Sequence, residues 1–68
     1  MTRDEWIAQF AAKLGVEPPD EATAETLLAL AGTAAHASER TAAPIACYLV
    51  GLAGRDVTEA AELADEVR

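Results

Sequence analysis

The single cysteine, Cys47, is the feature that most constrains how a chain of 68 residues can fold. A domain of this length buries only about 60% of the surface that its unfolded chain exposes, so its hydrophobic core is marginal. One cysteine forms no intrachain disulfide, and together with the lone histidine, His36, it falls short of a structural zinc site. The chain must therefore be stabilised by closely packed helices or by association with another molecule.

Acidic residues dominate the charge of the chain. Twelve Asp and Glu residues against five Lys and Arg residues give a formal net charge of −7. Such a charge repels phosphate backbones and anionic bilayers, which argues against binding to nucleic acid or to a membrane surface. The longest charge-free segment, residues 41–54, contains a proline and has fourteen residues, fewer than the ~20 apolar residues that span a bilayer.

The composition also bears on the source and the compartment of the protein. Residues 1–10 carry Asp4 and Glu5 and no apolar run, so we predict that the chain has no signal peptide and is cytoplasmic. Seventeen alanines, with four arginines against one lysine, indicate a GC-rich and therefore bacterial genome. Alanine also favours helices and lets them approach one another closely.

Helical periodicity and turn residues predict an all-α fold, a compact bundle of four short helices that forms one domain over residues 1–68. The predicted helices span residues 3–14, 22–38, 42–53 and 57–67. Thr2 with Glu5, and Asp56 with Glu59, have the spacing of capping boxes, which would begin the first and the fourth helix.

The third predicted helix carries no charged residue and is apolar on all sides. Its two opposite faces are Ile45, Tyr48, Leu49 and Leu52, and Ala43, Cys47, Val50, Gly51 and Gly54. A helix of this kind is normally central, which is the favoured prediction; the alternative is that part of it contacts another subunit or domain. Because glycine within a helix costs about 1 kcal/mol relative to alanine, we expect a close neighbour at Gly51.

His36 and Arg40 are the candidate binding residues of the second predicted helix, where an i and i+4 spacing would set them one turn apart. The favoured interpretation is structural, because donor side chains near a helix C-terminus bind its last carbonyl groups. We expect Arg40 to cap these carbonyls and His36 to support it. The alternative is an anion or carboxylate site, in which Arg40 binds in a bidentate manner and His36 donates a hydrogen bond.

Other candidate residues favour structural interpretations. Cys47 lies on an apolar helix without an adjacent base, which is typical of a buried, inert thiol. Ser38 lacks the flanking Asp and Leu that mark the modified serine of acyl carrier proteins. Trp6 and Phe10 are expected to anchor the core. The sequence therefore predicts no catalytic residue, no metal site and no cofactor.

Motifs along nearly the whole chain resemble a known family. The most specific block, from His36 to Gly51, reads His-x-x-x-Arg-x-Ala-Ala-Pro-x-x-x-Tyr-Leu-x-Gly, and Trp6 precedes it. These motifs resemble a small bacterial domain family of unknown function, whose members occur alone or as a C-terminal extension of molybdenum cofactor guanylyltransferases. Members often have proline after the arginine, where this chain has Thr41.

The resemblance implies a non-catalytic accessory or protein-interaction module linked to molybdenum cofactor (molybdopterin guanine dinucleotide) biosynthesis. The expected partner is a second copy of the chain or such a guanylyltransferase, docked on the small-residue face of the third helix and on the end of the second. The candidate interaction residues are His36, Arg40, Pro44, Cys47, Tyr48 and Gly51. The alternative function is the binding of a small molecule or an anion by His36 and Arg40.

Overall fold

Four α-helices follow one another in residues 1–67, the part of the chain that the computed structural model describes. They are α1 (Arg3–Leu14), α2 (Glu21–Ala37), α3 (Ala42–Ala53) and α4 (Val57–Asp65). No strand occurs among these residues, and the predicted all-α bundle of four helices is confirmed. The predicted bounds agree for α1 and α3; α2 begins and ends one residue earlier than predicted, and α4 ends two residues earlier.

Both ends of α1 are closed by local hydrogen bonds. The Thr2 N–H donates to the Glu5 carboxylate at 2.7 Å, and the Glu5 N–H donates to the Thr2 hydroxyl at 3.1 Å, so the predicted capping box is present. At the other end, Gly15 adopts a left-handed backbone with φ 79°, and the Val16 N–H donates to the Ala11 carbonyl at 3.0 Å.

Aspartates begin α2 and α4. The Asp20 carboxylate accepts a hydrogen bond from the Thr23 N–H at 2.8 Å, and the Asp56 carboxylate accepts one from the Glu59 N–H at 3.3 Å. The capping box predicted for Asp56 and Glu59 is only half formed, because the Glu59 carboxylate pairs with the Arg55 guanidinium instead.

The central helix of the fold is α2, which packs against both α3 and α4, whereas contacts between other pairs of helices are few. Leu30 of α2 is 3% exposed and Ala11 of α1 is 6% exposed, and these are the only buried apolar residues within residues 1–67. Most other residues at the helix contacts are half-buried alanines. The helices therefore lie close together while burying little apolar area.

The prediction that the third helix is central is wrong. None of the residues of α3, all within the described part of the chain, is buried. One of its faces is half-buried and consists of Ala42, Ala43, Ala46, Cys47 and Val50. The opposite face is exposed: Ile45 by 61%, Tyr48 by 66%, Leu49 by 55% and Leu52 by 69%. We call these four residues the outer face of α3; it is exposed because α3 packs extensively only against α2.

The protein exposes more surface than a folded monomer of its mass. Its accessible area is 5344 Å², whereas a monomer of 7.1 kDa is expected to expose about 4,100 Å². The excess of roughly 1,200 Å² includes contributions from twelve large apolar side chains. Large apolar side chains therefore remain in contact with water in the single chain.

Acid should weaken the start of α2. The hydrogen bond from the Thr23 N–H holds the pKa of Asp20 below its ordinary value of 3.8. A carboxylate with a lowered folded-state pKa stabilises the fold above its ordinary pKa, and this stabilisation is lost as the pH falls through the lowered value. The Thr2 N–H lowers the pKa of Glu5 in the same way.

We therefore predict that Asp20→Asn loses less thermal stability than the unmodified chain when the pH falls from about 6 to about 2, because asparagine accepts the same hydrogen bond without titrating. Melting curves recorded by circular dichroism measure the two losses. Glu17→Gln is the control, since the Glu17 carboxylate accepts no hydrogen bond within residues 1–67. Equal losses in all three chains would contradict the capping role of the Asp20 carboxylate.

Candidate interaction surface

An apolar groove of about 470 Å³ lies between the C-terminal half of α2, α3 and the residues at the end of α4. Its larger side chains are Ile45 and Leu49 of α3 and Val67, which follows α4. Most of the remaining lining is alanine, and no charged side chain of the described residues lines it. The groove thus exposes apolar surface to any molecule that enters it.

The groove and the outer face of α3 share Ile45 and Leu49, so they form one continuous apolar surface. Tyr48 and Leu52 extend this surface along α3 beyond the groove, and Val67 extends it toward α4. No residue from 41 to 54 carries a charge. We call the groove and the outer face together the apolar surface.

Two hydroxyl groups line the groove, and both donate to the backbone of α2. The Thr33 hydroxyl donates to the Ala29 carbonyl at 3.2 Å, and the Ser38 hydroxyl donates to the Ala34 carbonyl at 3.1 Å. Small-molecule sites usually combine an apolar lining with a few free polar groups that fix the orientation of the ligand. Because these hydroxyl hydrogens are engaged, the described lining offers mainly apolar contacts.

The sequence predicts that His36 and Arg40 lie one helical turn apart, but the structure does not place them on one helix. The helix α2 ends at Ala37, and Ser38 leaves it with φ −139° and ψ −93°. Both the N–H and the hydroxyl of Ser38 donate to the Ala34 carbonyl, whereas the Arg40 side chain donates no hydrogen bond within residues 1–67. The capping role predicted for Arg40 is therefore wrong. His36 and Arg40 are exposed and lie outside the groove lining.

The other four predicted interaction residues share one side of α3 through their helical spacing. They are Pro44, Cys47, Tyr48 and Gly51. Only Tyr48 belongs to the outer face, and Cys47 is half-buried. A Cβ atom added at Gly51 would meet no atom within 4 Å, so the expected close neighbour of Gly51 is absent from residues 1–67. The predicted docking face of small residues packs partly inward, and the large residues face outward.

An aromatic pair on α1 is also exposed rather than in the core. The ring centroids of Trp6 and Phe10 are 5.1 Å apart with an interplanar angle of 36°. Trp6 is 53% exposed and Phe10 is 46% exposed, so the prediction that they anchor the core is wrong. Since α1 makes few contacts with the other helices, its apolar side is largely uncovered.

No group of three or more His, Cys, Asp or Glu side chains within residues 1–67 is arranged to hold a metal ion. None of the four described helices has both the length and the hydrophobicity needed to cross a bilayer.

Comparison with known protein families identifies the family of this chain. The model of a family described as a domain of unknown function (DUF6457) matches residues 1–68. No curated protein and no solved structure matches the chain.

The open space at Gly51 leads to a stability prediction. Gly51→Ala should raise the free energy of unfolding by about 0.5–1 kcal/mol, because alanine favours the helix and its methyl group meets no neighbour. Urea denaturation measures this change. Gly54→Ala is the matched control and should destabilise, since Gly54 ends α3 with φ 69°. A loss of stability in Gly51→Ala would contradict the open environment of this position.

Proposed function

We propose that this chain, which belongs to the DUF6457 family of domains of unknown function, is a non-catalytic protein-interaction module. The observation that carries the proposal is the continuous apolar surface, whose outer face on α3 is more than half exposed at every position. Monomeric soluble proteins rarely expose contiguous apolar patches larger than a few hundred Å². A protein partner that covers this surface would remove it from water, which stabilises the complex by about 25 cal/mol per Å² of apolar area.

The chemistry of the groove favours a protein segment over a small polar ligand. The Thr33 and Ser38 hydroxyls donate to the helix backbone, and the lining from residues 1–67 is uncharged, so among these residues a phosphate or carboxylate would meet neither a cation nor a free hydroxyl donor there. His36 and Arg40, the basis of the alternative anion-binding function, lie outside the groove lining. Within residues 1–67, no hydrogen bond or ion pair of the His36 or Arg40 side chain favours anion binding over protein docking.

The link to molybdenum cofactor biosynthesis is a further part of the proposal, and it is supported by the resemblance of the block from His36 to Gly51. In this proposal the module docks on a molybdenum cofactor guanylyltransferase, and the groove receives an apolar helix or loop of that enzyme. The chain contributes binding, while the enzyme contributes the nucleotide chemistry. Free-standing and fused copies of such a module would make the same contact.

The docking proposal predicts that the unmodified chain binds the guanylyltransferase of its own organism in isothermal titration calorimetry. Val67→Glu should weaken this binding more than about 10-fold, because it introduces a charge at the apolar groove. Val67 is 70% exposed and lies outside the outer face of α3, so the substitution tests the groove alone.

Leu28→Glu is the matched control, because Leu28 of α2 is 54% exposed and does not line the groove. This variant should bind as the unmodified chain does, and circular dichroism should show that both variants keep their helices. Absence of binding by the unmodified chain would contradict the link to this enzyme. Equal weakening by the two variants would contradict the groove as the docking site.

A further inference from the structure

We infer that a second copy of this chain covers the outer face of α3, so that the protein forms a two-fold symmetric dimer. The inference rests on the proposed function, since it names the protein partner of one part of the apolar surface. Its starting point is that Ile45, Tyr48, Leu49 and Leu52 are all more than half exposed in the single chain. The groove that the enzyme is proposed to enter extends from this face toward Val67.

The exposed area matches what a stable dimer needs. Stable interfaces bury about 800 Å² on each partner, and obligate homodimers bury about 1,000 Å² or more. The chain exposes roughly 1,200 Å² more than a folded monomer of its mass. A dimer contact of ordinary size on the outer face is smaller than this excess, to which exposed side chains of α1 such as Trp6 and Phe10 also contribute.

The outer face is self-complementary when two copies of α3 lie antiparallel. In a two-fold interface, each contact of residue i with residue j occurs twice. Ile45 and Leu52 lie at equal distances on either side of the midpoint between Tyr48 and Leu49. Ile45 therefore meets Leu52 of the second copy, while Tyr48 and Leu49 lie beside their own counterparts near the axis. Every large apolar side chain of the face thus meets another one.

The distribution of charge favours this face for self-association. A net charge of −7 on each chain opposes a dimer, but residues 41–54 themselves are uncharged. The nearest charged residues in the sequence are Arg40 and Glu39 at one end and Arg55 and Asp56 at the other. Because salt screens the repulsion between two chains that each carry a net charge of −7, added salt should strengthen the dimer.

Sedimentation equilibrium from micromolar to millimolar concentration tests the dimer. The unmodified chain should approach twice its mass of 7.1 kDa, and sodium chloride should shift the equilibrium toward the dimer. Leu52→Glu should raise the dissociation constant more than about 100-fold, because two unpaired charges enter each interface. Leu52 does not line the groove, and Leu28→Glu is again the matched control, with an unchanged dissociation constant.

Cysteine cross-linking tests the antiparallel arrangement, in a Cys47→Ala background. Leu49→Cys should form a disulfide-linked dimer, because its two copies lie beside the axis. Ile45→Cys alone should not, since its copies would be about 10 Å apart along the helices, beyond the reach of a disulfide. A mixture of Ile45→Cys and Leu52→Cys should form the mixed dimer. Linkage of Ile45→Cys to itself without the mixed product would overturn the antiparallel arrangement.

A chain that stays monomeric at millimolar concentration overturns the second copy as the partner, as does a Leu52→Glu variant that dimerises as well as Leu28→Glu. Docking of the enzyme is tested separately by Val67→Glu, because Val67 lines the groove outside the outer face, whereas Ile45 and Leu49 belong to both. If Leu52→Glu fails to fold, the melting temperature of the unmodified chain tests whether the chain forms a dimer. It should rise with protein concentration, and a melting temperature independent of concentration would overturn the dimer.

Discussion

The contact between α2 and α3 is the constraint on which the rest of the surface depends. The half-buried face of α3 consists of Ala42, Ala43, Ala46, Cys47 and Val50, so small side chains dominate this contact. Small residues permit a close approach, but each buries little apolar area. Since a helix turns only one face toward a given neighbour, the large side chains of α3 point away from α2, and the remaining described residues leave them exposed.

This arrangement links stability to association. Only Leu30 and Ala11 are buried among the apolar residues of the described range, and burial of apolar surface is the dominant favourable contribution to folding. A chain of this length that lacks an intrachain disulfide needs a further source of stability. The proposed partners supply it, because the second copy covers the outer face of α3, including Ile45 and Leu49, and the enzyme segment contacts the rest of the groove near Val67. The same side chains then serve folding and recognition.

The helices could be predicted because their signals are local: the Thr2 and Glu5 capping box and the left-handed Gly15 act within one turn. The predicted end of α2 lies one residue too late, because the end of the helix depends on the hydrogen bond from the Ser38 hydroxyl to the Ala34 carbonyl. Periodicity predicts the two faces of α3. It does not predict which face packs against α2, because both faces are apolar and differ only in the size of their side chains. The family motif included Tyr48 of the apolar surface but missed Val67, whose exposure depends on the packing of α4.

Isotope-filtered nuclear Overhauser spectroscopy tests the central claim most directly, in a sample that mixes labelled and unlabelled copies of the chain. The claim is that the outer face of α3 points away from its own chain and contacts a second copy. It predicts intermolecular signals between the methyl groups of Ile45 and Leu52, and between the Tyr48 rings of the two copies. Methyl groups of Ile45 and Leu52 that contact only side chains of their own molecule would contradict it.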